Sequence, residues 1–299
     1  MNSEIYEKYI LAGKIAADAR KYGISLIKPG VSLLHVADKV ESKILEKGAN
    51  LAFPVNISLN EIAAHFSPRH NDTIIFNKGD LVKLDVGTHI DGYIADTATT
   101  IEVETSKYKD LIKSANDGLD AAIDMIKPGI DMSKLGKTVE EKIKSYGYNP
   151  IDNLTGHSLE QYVLHAGKNV PSVNDILNKS KPKIGDVYAI EPFATNGQGH
   201  VVQGPGSNIY LCNITLRSKL IRDNKAKMMF AKMMNEFKTL PFAERWSNKI
   251  FENNYTILRK LTFHGLIKHY PQLIEIKKGI VAQKEHTVII TENGCEVTT

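Results

Sequence analysis

The sequence predicts an α/β (α+β) protein built of two related αβ halves, with a helical subdomain inserted near its end. Three observations predict it. A helix–helix–strand block recurs about 100 residues further on. An Asp-Gly turn joins two strand-like runs, each with one aspartate. A basic stretch with helical periodicity then breaks the repeat after Ile209-Tyr210-Leu211.

Ser3 to about Tyr22 reads as helix: Ile5, Tyr9, Leu11, Ile15, Ala16 and Ala19 recur at three- and four-residue steps. Ser3 is the expected N-cap and Gly23 the expected stop. Pro29-Gly30 breaks the chain. Ser32 opens a second helix with Leu33, Val36, Val40 and Ile44 inward, ending at Gly48. Lys83 to Thr100 then reads as a hairpin around Asp91-Gly92, a dipeptide suited to a turn that needs φ > 0 twice. Centred there, the hairpin opposes Asp96 to Gly87 and Asp85 to Ala98. Side chains alternate along a strand, so Asp85 and Asp96 emerge on one face as diagonal neighbours, roughly 7–8 Å apart. Two such carboxylates imply a cation, a shared proton or an exposed surface.

The repeat follows. Ile27-Lys28-Pro29-Gly30 returns as Ile126-Lys127-Pro128-Gly129, an offset of 99. Val40-Glu41, Lys43-Ile44 and Gly48 match Val139-Glu140, Lys142-Ile143 and Gly147 at the same offset. Gly79 to Asp85 matches Gly185 to Glu191 at an offset of 106. Two blocks in the same order imply two halves related by a pseudo-two-fold, and the period is too long for a solenoid. Glu191 then occupies in the second half the place of Asp85 in the first. If the halves pack about their axis, the acidic pair becomes an acidic cluster between two sheets. Buried carboxylates in such number need compensating cations.

From about Leu216 to Tyr270 the pattern is helical and basic. Arg217, Lys219, Arg222, Lys225, Lys227, Lys232, Lys238, Arg245, Lys249, Arg259, Lys260 and Lys268 face only Asp223, Glu236, Glu244 and Glu252. We expect one domain over 1–299, with this helical insert spanning about 212–272. Strand signals return at Gly279 to Ile290, with Val281, Gln283, Glu285, Thr287 and Ile289 on one face and Ala282, Val288 and Ile290 on the other. Glu292-Asn293-Gly294 turns into a last short strand, Cys295 to Val297.

Composition excludes several classes. The 299 residues are 42% hydrophobic, ample for a large core, and a net charge of +4 is too mild to imply nucleic acid by itself. The two cysteines, Cys212 and Cys295, lack CxxC spacing and fit a reducing compartment. Glu4, Glu7 and Lys8 break any signal-peptide pattern, and no apolar run approaches the ~18 residues of a membrane span. A soluble, cytoplasmic protein with no membrane partner is expected. There is no H-E-x-x-H, and Ala282 defeats H-x-x-E-H around Glu285-His286. Gly197-Gln198-Gly199-His200 lacks the third glycine of a dinucleotide loop.

Histidines complete the candidates. His157 follows the Pro150 turn, His165 comes eight residues later at same-face spacing for a strand, and His65 stands just before a loop. With L-D-V-G-T-H-I-D-G-Y-I-A-D-T-A-T, G-H-S-L-E-Q-Y-V-L-H-A-G, A-I-E-P-F and A-Q-K-E-H-T, the chain resembles the pita-bread metallopeptidases over essentially its whole length. Within them it resembles the methionine aminopeptidases of the second type, in their shorter archaeal form. The insert with Leu240-Pro241-Phe242-Ala243 is similar to the one that separates the second type from the first. Lys284 stands where many relatives carry an aromatic residue; it points away from Glu285, so little consequence is expected.

The resemblance implies a five-ligand set, Asp85, Asp96, His157, Glu191 and Glu285, holding two divalent ions (Mn, Fe(II), Co or Zn). It implies that Asp96 and Glu285 bridge, that Asp85 completes one ion, and that His157 and Glu191 complete the other. It also implies that His165 stabilises the tetrahedral intermediate, that His65 holds the peptide and that Glu191 shuttles a proton. Phe53, Ile209 and Tyr270 are positional candidates for an apolar methionine pocket. The implied substrates are nascent polypeptides and peptides with N-terminal methionine and a small second residue, cleaved by a monomer. The basic insert offers a contact to the ribosome. Two rivals remain open: an Xaa-Pro peptidase, for which no separate N-terminal domain is seen, and a non-catalytic adaptor, which would not need five ligands.

Overall fold

The computed structural model describes residues 1–213, 222–251 and 255–299. Leu216, Arg217, Lys219, Glu252 and the side chain of Lys249 lie outside them.

The first half runs α1 (Ser3–Leu26), α2 (Leu33–Glu46), β1 (Asn50–Leu51), β2 (Asn56–Leu59), β3 (Ile62–Ala64), β4 (Leu81–Ile90) and β5 (Tyr93–Glu102). The second runs α3 (Lys109–Met125), α4 (Met132–Lys144), β6 (Asn149–Pro150), β7 (Thr155–Ser158), β8 (Asn169–Pro171), β9 (Val187–Ile190) and β10 (Phe193–Thr195). Then come β11 (Val201–Cys212), α5 (Asn224–Phe237), β12 (Phe242–Ala243), α6 (Glu244–Ile250), α7 (Tyr255–Phe263), β13 (Ile267–Glu275), β14 (Val281–Gln283), β15 (His286–Ile290) and β16 (Cys295–Val297).

The repeat is visible in the backbone. Gly30 and Gly129 have φ of 82 and 76°, Gly48 and Gly147 83 and 80°, Gly79 and Gly185 91 and 84°. Each matched pair makes the same left-handed turn, which glycine allows without a steric penalty. In each half a helix pair covers the sheet. Val36, Val40, Ile44, Val82, Leu84 and Val86 form the core of the first half, and Leu111, Leu119, Val139, Ile143, Tyr188 and Val288 that of the second.

α1 departs from expectation at both ends. Asn2, not Ser3, is the cap, its Oδ1 accepting from the Ile5 N–H at 2.9 Å. The helix runs through Gly23 to Leu26, because Gly23 is there for contact rather than termination. A Cβ on it would lie 2.6 Å from Leu84 Cδ2 and 2.7 Å from Val40 Cγ2. Pro29 ends the helix instead, through its restriction on the residue before it. Leu11 turns outward, off the face carrying Tyr9, Ala12, Ile15, Ala16 and Ala19. Ser32 caps α2 as expected, accepting from the His35 N–H.

β4 pairs with β5 on one side and with β1 and β2 on the other. The second half makes the sheet β16-β15-β9-β7-β8, and β14-β10-β6 forms a smaller sheet beside it. The single strand expected over Gly279–Ile290 is interrupted at Lys284-Glu285. The interruption matches one in the partner strand, where Glu191-Pro192 divides β9 from β10 and proline supplies no N–H. Ile190 pairs with His286 and Phe193 with Gln283. Carried through the gap, that register sets Glu191 opposite Glu285.

In the region of the expected insert, α5 and α7 pack on β11 and β13 around their own core of Ala226, Met229, Phe230, Met233, Leu258 and Leu261. One count changes. Arg245 is buried at 3% exposure and ion-paired with Glu41 of α2, so it anchors this region instead of charging its surface. Trp246 Nε1 donates to the other Glu41 oxygen at 2.8 Å. Lys260 is likewise engaged, with Asp223 at 2.8 Å.

Candidate metal centre

The hairpin has the register its turn predicts: Gly87 opposes Asp96, and Asp85 opposes Ala98. Asp91 and Gly92 have φ of 50 and 87°, the two left-handed residues of a type I′ turn. Asp85 and Asp96 therefore share the face turned to the second half. Across the ladder, Asn56 of β2 stands opposite Asp85.

The second half fixes the backbone of these residues. The Asp96 N–H donates to Thr287 Oγ1 at 2.8 Å, and that hydroxyl donates to the Asp96 carbonyl oxygen at 2.8 Å. In return β5 holds Glu285, whose N–H donates to the Ala98 carbonyl oxygen at 3.0 Å and whose carbonyl accepts from Thr97 Oγ1 at 2.9 Å. Glu191 Oε2 accepts from Gln283 Nε2 at 3.2 Å. His157 of β7 pairs with Ala189 on β9, which brings its ring to the same point.

There the ligand-type atoms of Asp96, His157 and Glu285 lie within 4.8 Å of one another. His157 Nε2 is 3.7 Å from Asp96 Oδ2 and 3.6 Å from Glu191 Oε1. These separations are too long for hydrogen bonds. They suit atoms on a common cation, where bonds of about 2.0–2.2 Å set neighbours on the order of 3–4 Å apart. Asp85 Oδ1 and Asp96 Oδ1 are buried without a hydrogen-bond partner. Burial pushes the Asp85 carboxyl up to about 7 and holds Asp96, Glu191 and Glu285 well above the usual carboxylate range. Repulsion adds to burial, Asp85 acting on Asp96 and Glu191, and Asp96 on Glu285. Burial, then the neighbouring His165, depresses His157 to about 3, so its ring is neutral and able to ligate. Four carboxylates and one imidazole, with orphaned oxygens, fit a divalent metal. Both cysteines pack into apolar clusters elsewhere, so no thiolate competes.

One pocket gathers every residue singled out from the sequence. It holds ≈ 500 Å³ of space, its mouth included, lined by Phe53, His65, Asp85, Asp96, His157, His165, Glu191, Ile209, Tyr270 and Glu285 together with Asn56, Ala64, Leu164 and Pro241. Phe53 and Ile209 are each 4% exposed. His65 follows β3 with φ 62°, and its ring meets that of Tyr270 edge-on at 5.4 Å. Burial, then the His165 charge, lowers His65 to about 4.

His165 reaches the pocket by another route than the sequence implied. β7 stops at Ser158, and the chain folds back through mutual hydrogen bonds between Glu160 and Val163. The exposed His165 thus returns beside His157, ring centroids 4.4 Å apart, from a loop rather than from the same strand face. Asn56, Leu164, Pro241, Thr97, Thr287 and Gln283 were not anticipated. Leu164 and Thr97 adjoin His165 and Asp96 in sequence, and the strand alternation already sets Gln283 and Thr287 on the face of Glu285; Asn56 and Pro241 carry no comparable signal.

The pattern of metallopeptidase family M24 matches residues 7–292. The methionine aminopeptidase of Methanocaldococcus jannaschii is 47% identical over 299 residues, spanning all of both chains. Among solved structures, a thermophilic Arx1 superposes with a TM-score of 0.85 at 17% identity, covering 100% of this chain and 91% of that one. The methionine aminopeptidase of Thermotoga maritima gives 0.72 at 24% identity, covering 100% and 98%.

Proposed function

The chain belongs to metallopeptidase family M24, among its methionine aminopeptidases of pita-bread fold, and on that premise we propose which of its residues do the work. The reaction is the metal-dependent removal of an N-terminal methionine. The observation that carries the assignment is the pocket itself: an acidic, partly orphaned floor beneath an apolar wall.

Asp85, Asp96, His157, Glu191 and Glu285 would hold two divalent ions, with Mn, Fe(II), Co and Zn all suited to these donors. Bound there, the ions supply a water of lowered pKa and polarise the scissile carbonyl. The residues do the rest. A free, neutral α-amine, which a chain end has and an internal residue lacks, would add one more donor to this ligand set, so the enzyme is an exopeptidase. Phe53, Ile209 and Tyr270 bury the methionine side chain, worth about 1.5–3 kcal/mol for full burial. The neutral His65 holds the peptide backbone. His165 donates to the carbonyl oxygen as it gains charge. Glu191 takes a proton from the attacking water and passes it to the leaving amine.

The substrates are nascent chains with a small second residue, which places the enzyme in the cytoplasm, acting as a monomer. Arg222, Lys225, Lys227, Lys232, Lys238, Arg259 and Lys268 leave the helical subdomain basic after Arg245 and Lys260 are discounted, and we propose this subdomain as a ribosome contact. Ribosome co-sedimentation unchanged after reversing those seven charges to Glu would remove that part.

The test of the main reading is methionine release from Met-Ala-Ser, Met-Lys-Ser and Xaa-Pro peptides by chelated enzyme, then with each metal restored. Metal-dependent cleavage of Met-Ala-Ser alone is expected. Cleavage of Xaa-Pro peptides instead would keep the site and overturn the specificity.

A further inference from the structure

Arg20 is a buried charge that the mechanism leaves unused. It lies on the inward face of α1 at 6% exposure, where an arginine is uncommon without a carboxylate partner. Its guanidinium donates to the Thr97 hydroxyl of β5. That hydroxyl has one hydrogen of its own. With its oxygen accepting from Arg20, the hydrogen goes to the Glu285 carbonyl oxygen, 2.9 Å away. Glu285 stands in the gap between β14 and β15, where no strand ladder fixes it. Its backbone is held by two bonds from β5, one from Thr97 and one to Ala98. Arg20 sets the direction of the first. Its charge also reaches the Glu285 carboxylate, whereas Lys284, adjacent in sequence, is directed to Thr99 Oγ1 at 3.4 Å.

We propose that Arg20 is a positioning residue for the metal centre, fixing the backbone of Glu285 through Thr97 so that the carboxylate is held as a ligand. The proposal rests on Glu285 being a ligand. It concerns metal affinity before turnover.

Two influences of Arg20 on that affinity oppose one another. Its positive charge repels a bound cation. Its hydrogen bond orders a ligand. Removing the guanidinium therefore tightens metal binding if charge is its whole contribution, and weakens it if positioning dominates.

The experiment uses the full chain, stripped of metal and titrated with Co²⁺ by calorimetry and visible absorption. The variants are Arg20→Met, Arg20→Lys, Thr97→Val, Thr97→Ser and Glu285→Gln. Arg20→Met and Thr97→Val are expected to weaken Co²⁺ binding by about 10- to 100-fold, the range for groups that orient metal ligands. Both should alter the d–d bands, and the Lys and Ser variants should regain most of the affinity. Unchanged or tighter binding in the Met and Val variants overturns the proposal. Should Arg20→Met fail to fold, Arg20→Gln takes its place, and unchanged or tighter Co²⁺ binding there overturns the proposal in the same way; Thr97→Val then reports only the share of the Thr97 hydroxyl. Glu285→Gln separates the two claims. Wild-type Co²⁺ binding in that variant overturns the ligand assignment. Its loss there, with wild-type binding in the Arg20 and Thr97 variants, overturns positioning only.

Discussion

A Cβ built on Gly87 would lie 2.1 Å from Phe53 Cε1. The Phe53 ring therefore lies directly on the backbone of the hairpin that carries Asp85 and Asp96, and Gly87 is what lets it approach. Gly87→Ala should drive the ring into the pocket at a cost of about 1–3 kcal/mol of stability. Methionine-peptide kinetics should show a raised KM beyond any effect on kcat; unchanged kinetics would remove Phe53 from the pocket wall. Asp85→Asn and Glu191→Gln are near-isosteric and should cost more than the about 10- to 100-fold typical of groups one step further out. Near wild-type turnover of Met-Ala-Ser by either variant, with circular dichroism unchanged, would break the ligand set. Asp85 and Asp96 were legible because a two-residue turn fixes register and register fixes faces. The eight-residue spacing implies the wrong geometry for His165, since spacing along a chain does not show that the chain turns back. The partners of Thr97 and Thr287 are not legible, although both stand beside candidate ligands in sequence, because their hydrogen bonds reach across the molecule to the other half.

At the scale of elements, glycines suggest one use by their sequence context and serve another. Gly23 looked like a helix stop and is a contact point beneath Leu84 and Val40. Gly23→Ala should destabilise by about 1–3 kcal/mol through overpacking, despite alanine's better helix propensity; a rise in Tm would contradict the packing. The run Gly197-Gln198-Gly199 lacks the third glycine of a nucleotide loop, and it wraps a carboxylate of the protein itself. Glu275 accepts from the N–H groups of Gln198 (2.6 Å), Gly199 (3.1 Å), Lys277 (2.7 Å) and Gly279 (2.9 Å). Burial alone would raise this carboxyl, but the four donors hold it below its ordinary value. The folded pKa lies below the unfolded one of about 4.3. The ionised form therefore contributes stability in full above that value, and loses it as pH falls through the folded pKa. Glu275→Gln should cost about 1.5–3 kcal/mol at neutral pH, and the gap to wild type should close below about pH 4. A gap independent of pH in denaturant melts would show that shape, not charge, binds the loop.

For the molecule as a whole, the repeat was the most legible feature. Three pairs of glycines in matched left-handed turns mark the same fold twice, and turn chemistry is local enough to be written in sequence. How the halves meet is not local. Asp85 and Asp96 come from the first half, while His157, Glu191 and Glu285 come from the second. Direct bonds such as those of Thr287 to Asp96 join the two, but at the centre the halves press buried carboxylates together. A cation there converts that repulsion into a link between halves. Metal binds the folded chain and finds no such cluster in the unfolded one, so it stabilises by mass action, about 2.7 kcal/mol at a free concentration 100 times its Kd. Chelation should accordingly lower Tm by on the order of 5 °C. The shift should grow with the logarithm of Mn²⁺ or Co²⁺ concentration, and Asp85→Asn should shrink it. The metal-free variant should be no less stable than metal-free wild type, because one buried negative charge has been removed from a repelling group. Equal Tm with and without metal would mean that no ion binds the folded chain in preference to the unfolded one, and that the halves are held by their hydrogen bonds alone.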